Sequence, residues 1–467
     1  MENNNIDPKN SLGNGSSKYV FRGFCAVILT LVAEALFFVF WFNFVQENNW
    51  TGHLLGLGNL GMAMIIYFIL YVVIGKGLHA FKIGVERTAN VVASQVLTFF
   101  VVDVIEILVS MAITGNFRFF FRFFWIYFLL FLCQSLLVGF MAVLMIRLYR
   151  RIFPPLRLIE VDGEHNNDLY GKVNGLVYKY HIAERMNCLE GLDKLEEKLD
   201  YFDAVLINDV PAKIENKILK ICFDHDKRVY YVPKISDIIV KTSEELNLLD
   251  TPLFLSRNIG LSKIQRFIKR TMDIILSGLA LIVLSPLLLI TALAIKINDG
   301  GPVFFRQERC SLNNKRFMIL KFRSMIVDAE KDGKPHPAGE HDDRITKVGR
   351  VIRSLRIDEL PQLFNILKGD MSIVGPRPER VENVEIYTRD VPEFAFRAKV
   401  KGGLTGYAQV YGKYNTTALD KLKLDLIYIM NYSLLMDVQI VFETVKILFQ
   451  KESTEGFSEE RIEEFRK

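Results

Sequence analysis

The stretch IILSGLALIVLSPLLLITALAI, residues Ile274–Ile295, decides how this chain is organised. It is long enough to cross the roughly 30 Å hydrocarbon core of a bilayer as a helix, and a crossing would put everything after it on the far side. Three features point instead to a helix that enters and leaves on one face. Ser285-Pro286 stands at the centre, where proline deletes a helix hydrogen bond and crowds the preceding turn. Each half then measures only about 17 Å, roughly half the hydrocarbon thickness. Both flanks are basic: Lys263, Arg266, Lys269 and Arg270 before, then Lys296, Arg306, Arg309, Lys315 and Arg316 after. A proline-kinked fifth span stays open on these grounds, because membrane helices tolerate proline.

Upstream lie four more blocks of bilayer length, Gly23–Val45, Leu54–Gly75, Val91–Ile113 and Phe123–Ile146. Basic residues set their orientation. Lys18 and Arg22 precede the first block, Lys76, Lys82 and Arg87 fill the second loop, and Arg147, Arg150 and Arg151 close the fourth. The loop Gln46–His53 has neither Lys nor Arg, so both ends of the four-helix unit are expected to face the cytoplasm; Arg118 and Arg122 in the third loop argue mildly the other way. Glu34, Asp103 and Glu106 fall inside these blocks and would form a polar seam between helices or protomers, or a functional site.

Half of the 467 residues are hydrophobic while 24% are charged, so the apolar residues must be gathered in blocks rather than spread through a soluble chain. A net charge of +5 is weak for nucleic acid and suits anionic lipid or phosphate ligands. Five cysteines without CxxC spacing point away from a zinc cluster or disulfide framework.

From Leu156 to about Asn258, short strands (Arg157–Val161, Ala204–Ile207, Val229–Val232) alternate with amphipathic helices (Leu189–Leu199, Ala212–Phe223), which resembles a trimmed Rossmann-like domain. The turn after its first strand, Asp162-Gly163-Glu164-His165, lacks the GxGxxG that would hold a pyrophosphate, so a packing or regulatory role is expected. The expected division is a disordered tail over 1–18, a four-helix transmembrane unit over 19–150, this α/β unit over 151–258, a re-entrant helix-break-helix over 263–298, a mixed α/β domain over 299–450 and a charged tail over 451–467.

The C-terminal part carries ordered motifs. Lys269-Arg270-Thr271-Met272-Asp273, the Ser285-Pro286 break and Gly301-Pro302-Val303-Phe304-Phe305 come first. Lys321-Phe322-Arg323-Ser324-Met325, Leu355-Arg356-Ile357-Asp358-Glu359-Leu360-Pro361-Gln362-Leu363, Val374-Gly375-Pro376-Arg377-Pro378-Glu379 and Leu404-Thr405-Gly406-Tyr407-Ala408-Gln409-Val410 follow. Residues 263–450 resemble the bacterial sugar transferases that act as polyprenyl-phosphate hexose-1-phosphate transferases, and the upstream segments resemble the large form of that family.

The resemblance implies transfer of a sugar-1-phosphate from a UDP-sugar, with UDP-glucose or UDP-galactose foremost, to undecaprenyl phosphate, with release of UMP. It implies that Asp358 is the nucleophile and that Glu359, with Asp358, holds Mg²⁺. Lys321, Arg323, Arg353, Arg377 and Gln409 would bind phosphate or substrate, with Arg353 on the polyprenyl phosphate. It also implies a homodimer in the bacterial cytoplasmic membrane, with the catalytic domain on the cytoplasmic side and a role in starting exopolysaccharide, capsule or O-antigen assembly.

The residues themselves carry part of this. Clustered phosphate charge needs cations to neutralise it before a carboxylate can attack, and a covalent intermediate splits a reaction between a soluble and a lipid substrate into two steps. Leu360, Leu363, Phe364 and Leu367 follow helical spacing, Pro361 suits a first turn and Gly369 a stop, which puts Asp358 and Glu359 at a helix start. An Asp there is also a plain N-cap. Lys321 and Arg323 alternate with apolar residues as one cationic edge of a strand, or as a solvated face. Arg377, between two prolines, presents a guanidinium of little freedom. Asp425 and Asp437 would contact metal or substrate, or cap structure; His336 and His341 lie in a polar loop, Asp332–Asp343, that would be a lid or plain surface.

Departures from the family pattern fall at Arg309-Cys310-Ser311-Leu312-Asn313-Asn314, where RxGxxG is usual, at Gly402 for Pro, at Tyr407 for Trp and at Tyr411-Gly412-Lys413 for Asn-Gly-Arg. Asn can supply the left-handed turn that glycine gives. These departures bear on donor identity more than on the reaction. A transporter or scaffold with an inactive transferase-like domain would use Glu34, Asp103 and Glu106 but leaves the Asp-Glu and arginine motifs unexplained. A single-displacement phosphotransferase would need acidic clusters on loops between spans, which the sequence lacks.

Overall fold

Apolar runs with few charges become long helices, because a helix satisfies its own backbone where no water is at hand. The computed structural model describes residues 15–45, 48, 56–115, 117–163, 169–248, 250–256, 260–327, 329, 342–412 and 416–448. The tails at 1–14 and 451–467, most of the loop Gln46–His53, Glu164-His165, and His336 with His341 lie outside them. Contacts divide the chain into two units, Met1–Val232 and Pro233–Lys467.

The first unit opens with helices α1 (Gly15–Phe40, continued by a π turn Trp41–Val45), α2 (Leu57–Gly77), α3 (Thr88–Thr114) and α4 (Phe120–Ile152). All four are long and apolar enough to cross a membrane. Their faces meet through aromatic packing, Phe37 stacking on Tyr67 with centroids 4.1 Å apart, and through buried hydrogen bonds. Tyr71 donates to Gln95 at 2.7 Å, Gln134 donates to Tyr67 at 2.7 Å, and Trp41 donates to Ser110 at 3.1 Å. The polar seam expected of Asp103 and Glu106 is thus made by tyrosine, glutamine and serine. The two acids are buried in α3, and no hydrogen bond reaches their carboxylates among the described residues.

An α/β segment follows: β1 (Leu156–Asp162), α5 (Leu169–Asn174), β2 (Tyr180–Asn187), α6 (Leu192–Lys198), β3 (Ala204–Asn208), α7 (Ala212–Asp224) and β4 (Arg228–Tyr231). The strands form one parallel sheet in the order β2-β1-β3-β4, an open doubly wound arrangement. Its core is Ile159, Val161, Val205 and Ile207 against Leu195, Ile218 and Cys222. The division between units falls at 232, earlier than the 258 expected, because the residues after β4 do not extend the sheet. Helix α8 (Ile235–Val240) packs with the second unit's core instead, and β5 (Glu244–Leu248) and β6 (Thr251–Leu255) form a separate antiparallel hairpin.

The second unit is organised on α9 (Lys263–Asp299). Ser262 accepts from the Gln265 N–H while Gln265 accepts from the Ser262 N–H, a reciprocal cap that starts the helix. The expected helix-break-helix is corrected here: α9 runs unbroken through Pro286. Pro286 has no N–H to give the Ile282 carbonyl, and the Ser285 hydroxyl donates to that oxygen at 2.7 Å in its place. One stripe of α9 lies along the unit, with Ala280 and Leu281 against Leu363 and Ile366, and Leu288, Ala292 and Ile295 against Phe322 and Ile352. The opposite face, including Leu279, Ile282, Leu289, Ile290 and Leu293, is exposed and apolar.

Beyond α9 come the hairpin β7 (Phe304–Cys310) and β8 (Arg316–Phe322), α10 (Lys347–Ser354), α11 (Gln362–Lys368), β9 (Ser372–Val374), α12 (Val381–Asp390), β10 (Gly403–Thr405), α13 (Tyr407–Tyr411), α14 (Ala418–Met430) and α15 (Leu434–Leu448). Asn313 and Asn314 take φ of 54° and 57°, the left-handed turn expected of them in place of glycine.

Candidate active site

Asp358 and Glu359 lie in a 3-10 turn, Ile357–Glu359, one step ahead of α11. Neither caps a helix with its side chain, so the N-cap reading does not describe them. Arg356 enters the turn at φ 54°, a conformation non-glycine residues rarely adopt, and such strain persists where surrounding contacts enforce it. Pro361 stands at the start of α11 and Gly369 ends it at φ 97°.

Three elements converge on Glu359. Lys321 at the end of β8 donates to its Oε1 at 2.9 Å, Arg377 in the loop after β9 donates to the same oxygen at 2.7 Å, and Arg356 stands 3.7 Å from Oε2. Asn365 of α11 locks β8 beside it, accepting from the Leu320 N–H and donating to the Met318 carbonyl, both at 2.9 Å. Burial alone would raise the Glu359 carboxyl; Arg377, Lys321 and Arg356 outweigh it and hold the group well below the usual carboxylate range. Burial pushes the Lys321 ammonium down.

Asp358 is the contrast. Its carboxylate makes no hydrogen bond or ion pair among the described residues, and burial, then the neighbouring Glu359 charge, pushes its pKa up against Lys321, Arg353 and Arg377. Asp358 is thus a partly buried carboxylate, without a partner among the described residues and bordered by cations.

A narrow cleft lined by Arg309, Lys321, Gln362, Arg377 and Gly403 adjoins this cluster. Burial, with Arg377 nearby, pushes Arg309 down to about 10. A second, small open cavity shares the Arg377 wall and is lined by Ser311, Asn314, Glu379, Phe394, Arg397 and Gly402 among others. Three departures from the family pattern meet there. Ser311 accepts from the Gly402 N–H at 3.0 Å and donates to the Asp370 carbonyl at 2.9 Å; a proline at 402 would have no N–H to give, so serine and glycine fit each other.

Behind this cavity Glu379 takes Lys421 at 2.8 Å, and Arg397 bridges it to Asp425 at 3.7 Å and 2.7 Å. Burial would raise Glu379, but Lys421 and Arg397 prevail and bring it to about 2. A depressed carboxylate adds stability above its unfolded value and loses it as pH falls through the folded one. Acid unfolding of this unit should therefore steepen between about pH 4.5 and about pH 2. Glu379→Gln should flatten that window in a far-UV melt series; an unchanged slope would show that other carboxylates carry it.

The structure brings Lys321, Asp358, Glu359 and Arg377 together, with Arg353 near enough to act on Asp358 through its charge. Arg323 goes elsewhere: buried beyond the end of β8, it pairs with Asp299 of α9. Gln409 lies in α13, and its Nε2 has no hydrogen-bond partner among the described residues. Asp437 accepts from Lys269 at 2.5 Å and from Tyr428 at 2.7 Å, and Asp425 serves Arg397, so both are structural here. Arg309, Arg356, Arg397 and Lys421 were not anticipated as site residues; Arg356, inside the Asp-Glu motif, and Arg309, which keeps the arginine of the RxGxxG position, carried a sequence signal.

Among the described residues no three His, Cys, Asp or Glu converge as a metal cluster. A two-carboxylate site still fits Mg²⁺, which is commonly held by one or two carboxylates with substrate phosphates. Asp358 is unpartnered, and Glu359 keeps Oε2 beyond hydrogen-bond distance of Arg356.

The chain thus combines helices long and apolar enough to cross a membrane with a carboxylate pair lined by cations. Residues 264–451 match the family model described as bacterial sugar transferase. Over 278 residues the chain is 40% identical to a UDP-N-acetylgalactosamine-undecaprenyl-phosphate N-acetylgalactosaminephosphotransferase of Aeromonas hydrophila, covering 58% of this chain and 64% of that one. It is 37% identical to a UDP-glucose:undecaprenyl-phosphate glucose-1-phosphate transferase of Klebsiella pneumoniae, covering 61% of each. It is 39% identical to the exopolysaccharide production protein ExoY of Sinorhizobium fredii, covering 38% of this chain and 83% of that one. The match thus spans less than two thirds of the first two relatives. The chain belongs to the bacterial sugar transferase family.

Proposed function

We propose that the protein transfers a sugar-1-phosphate from a UDP-sugar to undecaprenyl phosphate, through a phosphosugar ester on Asp358. The carrying observation is the unpartnered Asp358 carboxylate beside a Glu359 clamped by Lys321 and Arg377. In the first step an Asp358 oxygen bonds to the β-phosphorus, the bond from that phosphorus to the bridging oxygen breaks, and UMP leaves with the electron pair. In the second, a phosphate oxygen of undecaprenyl phosphate attacks the same phosphorus, which forms the lipid diphosphosugar and restores the carboxylate. Arg377 and Lys321 hold the donor phosphates, and Glu359 keeps both cations in place until an anion arrives. Mg²⁺ held by Asp358 and Glu359 with the phosphates would supply charge neutralisation.

The relatives' names differ in the sugar, N-acetylgalactosamine in one and glucose in another. The Ser311, Asn314 and Gly402 departures line the cavity beside Arg377, which supports a part for that cavity in donor choice. The same reading places the catalytic unit on the cytoplasmic face of a bacterial inner membrane, as a homodimer that starts glycan assembly.

A same-side placement of both ends of the unbroken α9 is supported by its seating. Lys269 and Asp273 near its start and Asp299 at its end all hold the same unit, so both ends stand on one side of any bilayer its apolar face meets. Cysteines placed before residue 263 and after residue 298 should label from the same side of sealed vesicles; labelling from opposite sides would make α9 a span.

The full chain in lipid nanodiscs, given UDP-glucose, UDP-galactose or UDP-N-acetylgalactosamine with Mg²⁺ and undecaprenyl phosphate, should release UMP with at least one donor. Failure with every donor, from protein that still binds UMP, would contradict the proposal.

A further inference from the structure

The membrane helix α9 makes polar contacts with each of the three segments that meet at Glu359, and two of those contacts lie one turn apart. Arg270 donates from Nη1 to the Ile366 carbonyl at 2.6 Å and from Nη2 to the Leu367 carbonyl at 2.7 Å. These are last-turn carbonyls of α11, where the Ile366 oxygen also takes the Gly369 N–H at 3.0 Å, and a guanidinium there faces the negative end of the helix dipole. Gly369, which closes α11, leaves room for that guanidinium: a Cβ there would stand 3.3 Å from Arg270 Nη2. α11 has only 7 residues, and the Asp358-Glu359 turn is joined to its other end through Leu360-Pro361.

Asp273, buried one turn along α9, accepts at Oδ1 from the Ser372 hydroxyl and from the Ile373 N–H, both at 2.9 Å. Those residues belong to β9, which leads through Val374-Gly375-Pro376 into Arg377. At the far end of α9, Asp299 holds Arg323, two residues past Lys321. None of these side chains reaches Glu359 itself. They hold the pieces that do, from a helix whose outer face is apolar and exposed.

We propose that Arg270 and Asp273 are positioning residues: seated in α9, they set Asp358 and Glu359 against Arg377, and so make the catalytic geometry depend on how the membrane helix is seated. This rests on the reading of Asp358 as nucleophile. A guanidinium bridging two carbonyls fixes both the axial height and the rotation of α11, which a lysine ammonium cannot do. A shift of about 1 Å at a reacting pair can cost on the order of a hundredfold in rate without changing ground-state binding.

The test uses the full chain in nanodiscs and two readouts. In the first, single-turnover UMP release without lipid acceptor is measured over a range of donor concentrations. Arg270→Lys is expected to lower the maximal rate by roughly tenfold to a hundredfold, with the half-saturating donor concentration within about twofold of wild type. Asp273→Ala should do the same, and Asp273→Asn, which keeps an accepting oxygen, should recover most of the loss. The second readout needs no turnover: hydrogen exchange over Gln362–Lys368 should quicken in Arg270→Lys and not in Asp273→Asn. Maximal rates within twofold of wild type in both Arg270→Lys and Asp273→Ala would overturn the proposal, as would unchanged exchange in Arg270→Lys. A loss confined to melting temperature, with the rate per folded molecule intact, would also overturn it by making the contacts merely structural. A wild type that releases no UMP would sink the functional reading instead, and the exchange readout would still decide whether Arg270 holds α11.

Discussion

Asp358→Asn abolishes UMP release, by at least about a thousandfold, while leaving the protein no less stable than wild type. The first half follows from chemistry. Asparagine has the same shape as aspartate, yet its amide is neutral and a poor nucleophile, and no other described carboxylate combines burial, cations alongside and freedom from partners. The second half follows from the direction of the pKa shift. Burial and Glu359 raise the Asp358 pKa in the folded state. A raised carboxyl stabilises the fold below its unfolded pKa, and that contribution disappears as pH rises through the folded value. At neutral pH the ionised Asp358 therefore costs stability, and the amide removes the cost. Turnover and thermal unfolding of the same preparation check both halves. A variant that keeps turnover, or one that loses turnover only by unfolding, contradicts this account.

Glu359→Gln is expected to lose activity and stability together. Oε1 of Glu359 accepts from Lys321 at 2.9 Å and Arg377 at 2.7 Å, and the Glu359 and Lys321 side chains are largely removed from water. Removing one partner of a buried pair leaves uncompensated charge, at a cost of about 3–5 kcal/mol. Part of that is relieved here because Arg377 keeps some solvent access. The deficit has a signature. With Glu359 neutral, Lys321 and Arg377 seek an anion, so inorganic phosphate or UMP should raise the unfolding temperature of Glu359→Gln more than that of wild type. Equal shifts in the two proteins would mean that these cations do not form the phosphate site.

The difference between these carboxylates was only half legible in the sequence. The helix at Leu360–Leu367, its glycine stop and the cationic position Lys321 followed from periodicity. The side-chain period of two holds only within a strand, however. β8 ends at Phe322, and Arg323, of the same parity as Lys321, turns to Asp299 instead. The proline at 286 foretold a break, yet the hydroxyl beside it repairs the missing bond and α9 continues. β2 escaped notice because only one of its faces is buried, and its charged residues, Glu184 and Arg185, blurred the apolar pattern. The ion pairs that join Arg397 to Asp425, and Lys421 to Glu379, link residues 28 and 42 positions apart, a separation at which local periodicity carries no signal.

The central claim, a covalent phosphosugar on Asp358, is tested most directly without the lipid. The protein is incubated with a UDP-sugar labelled in the β-phosphate, then denatured, digested and mapped by mass. The account predicts one labelled phosphosugar per active chain, on the peptide carrying Asp358, lost when undecaprenyl phosphate is added before quenching. UMP release that requires the lipid from the first turnover, with no label on the protein, would contradict it.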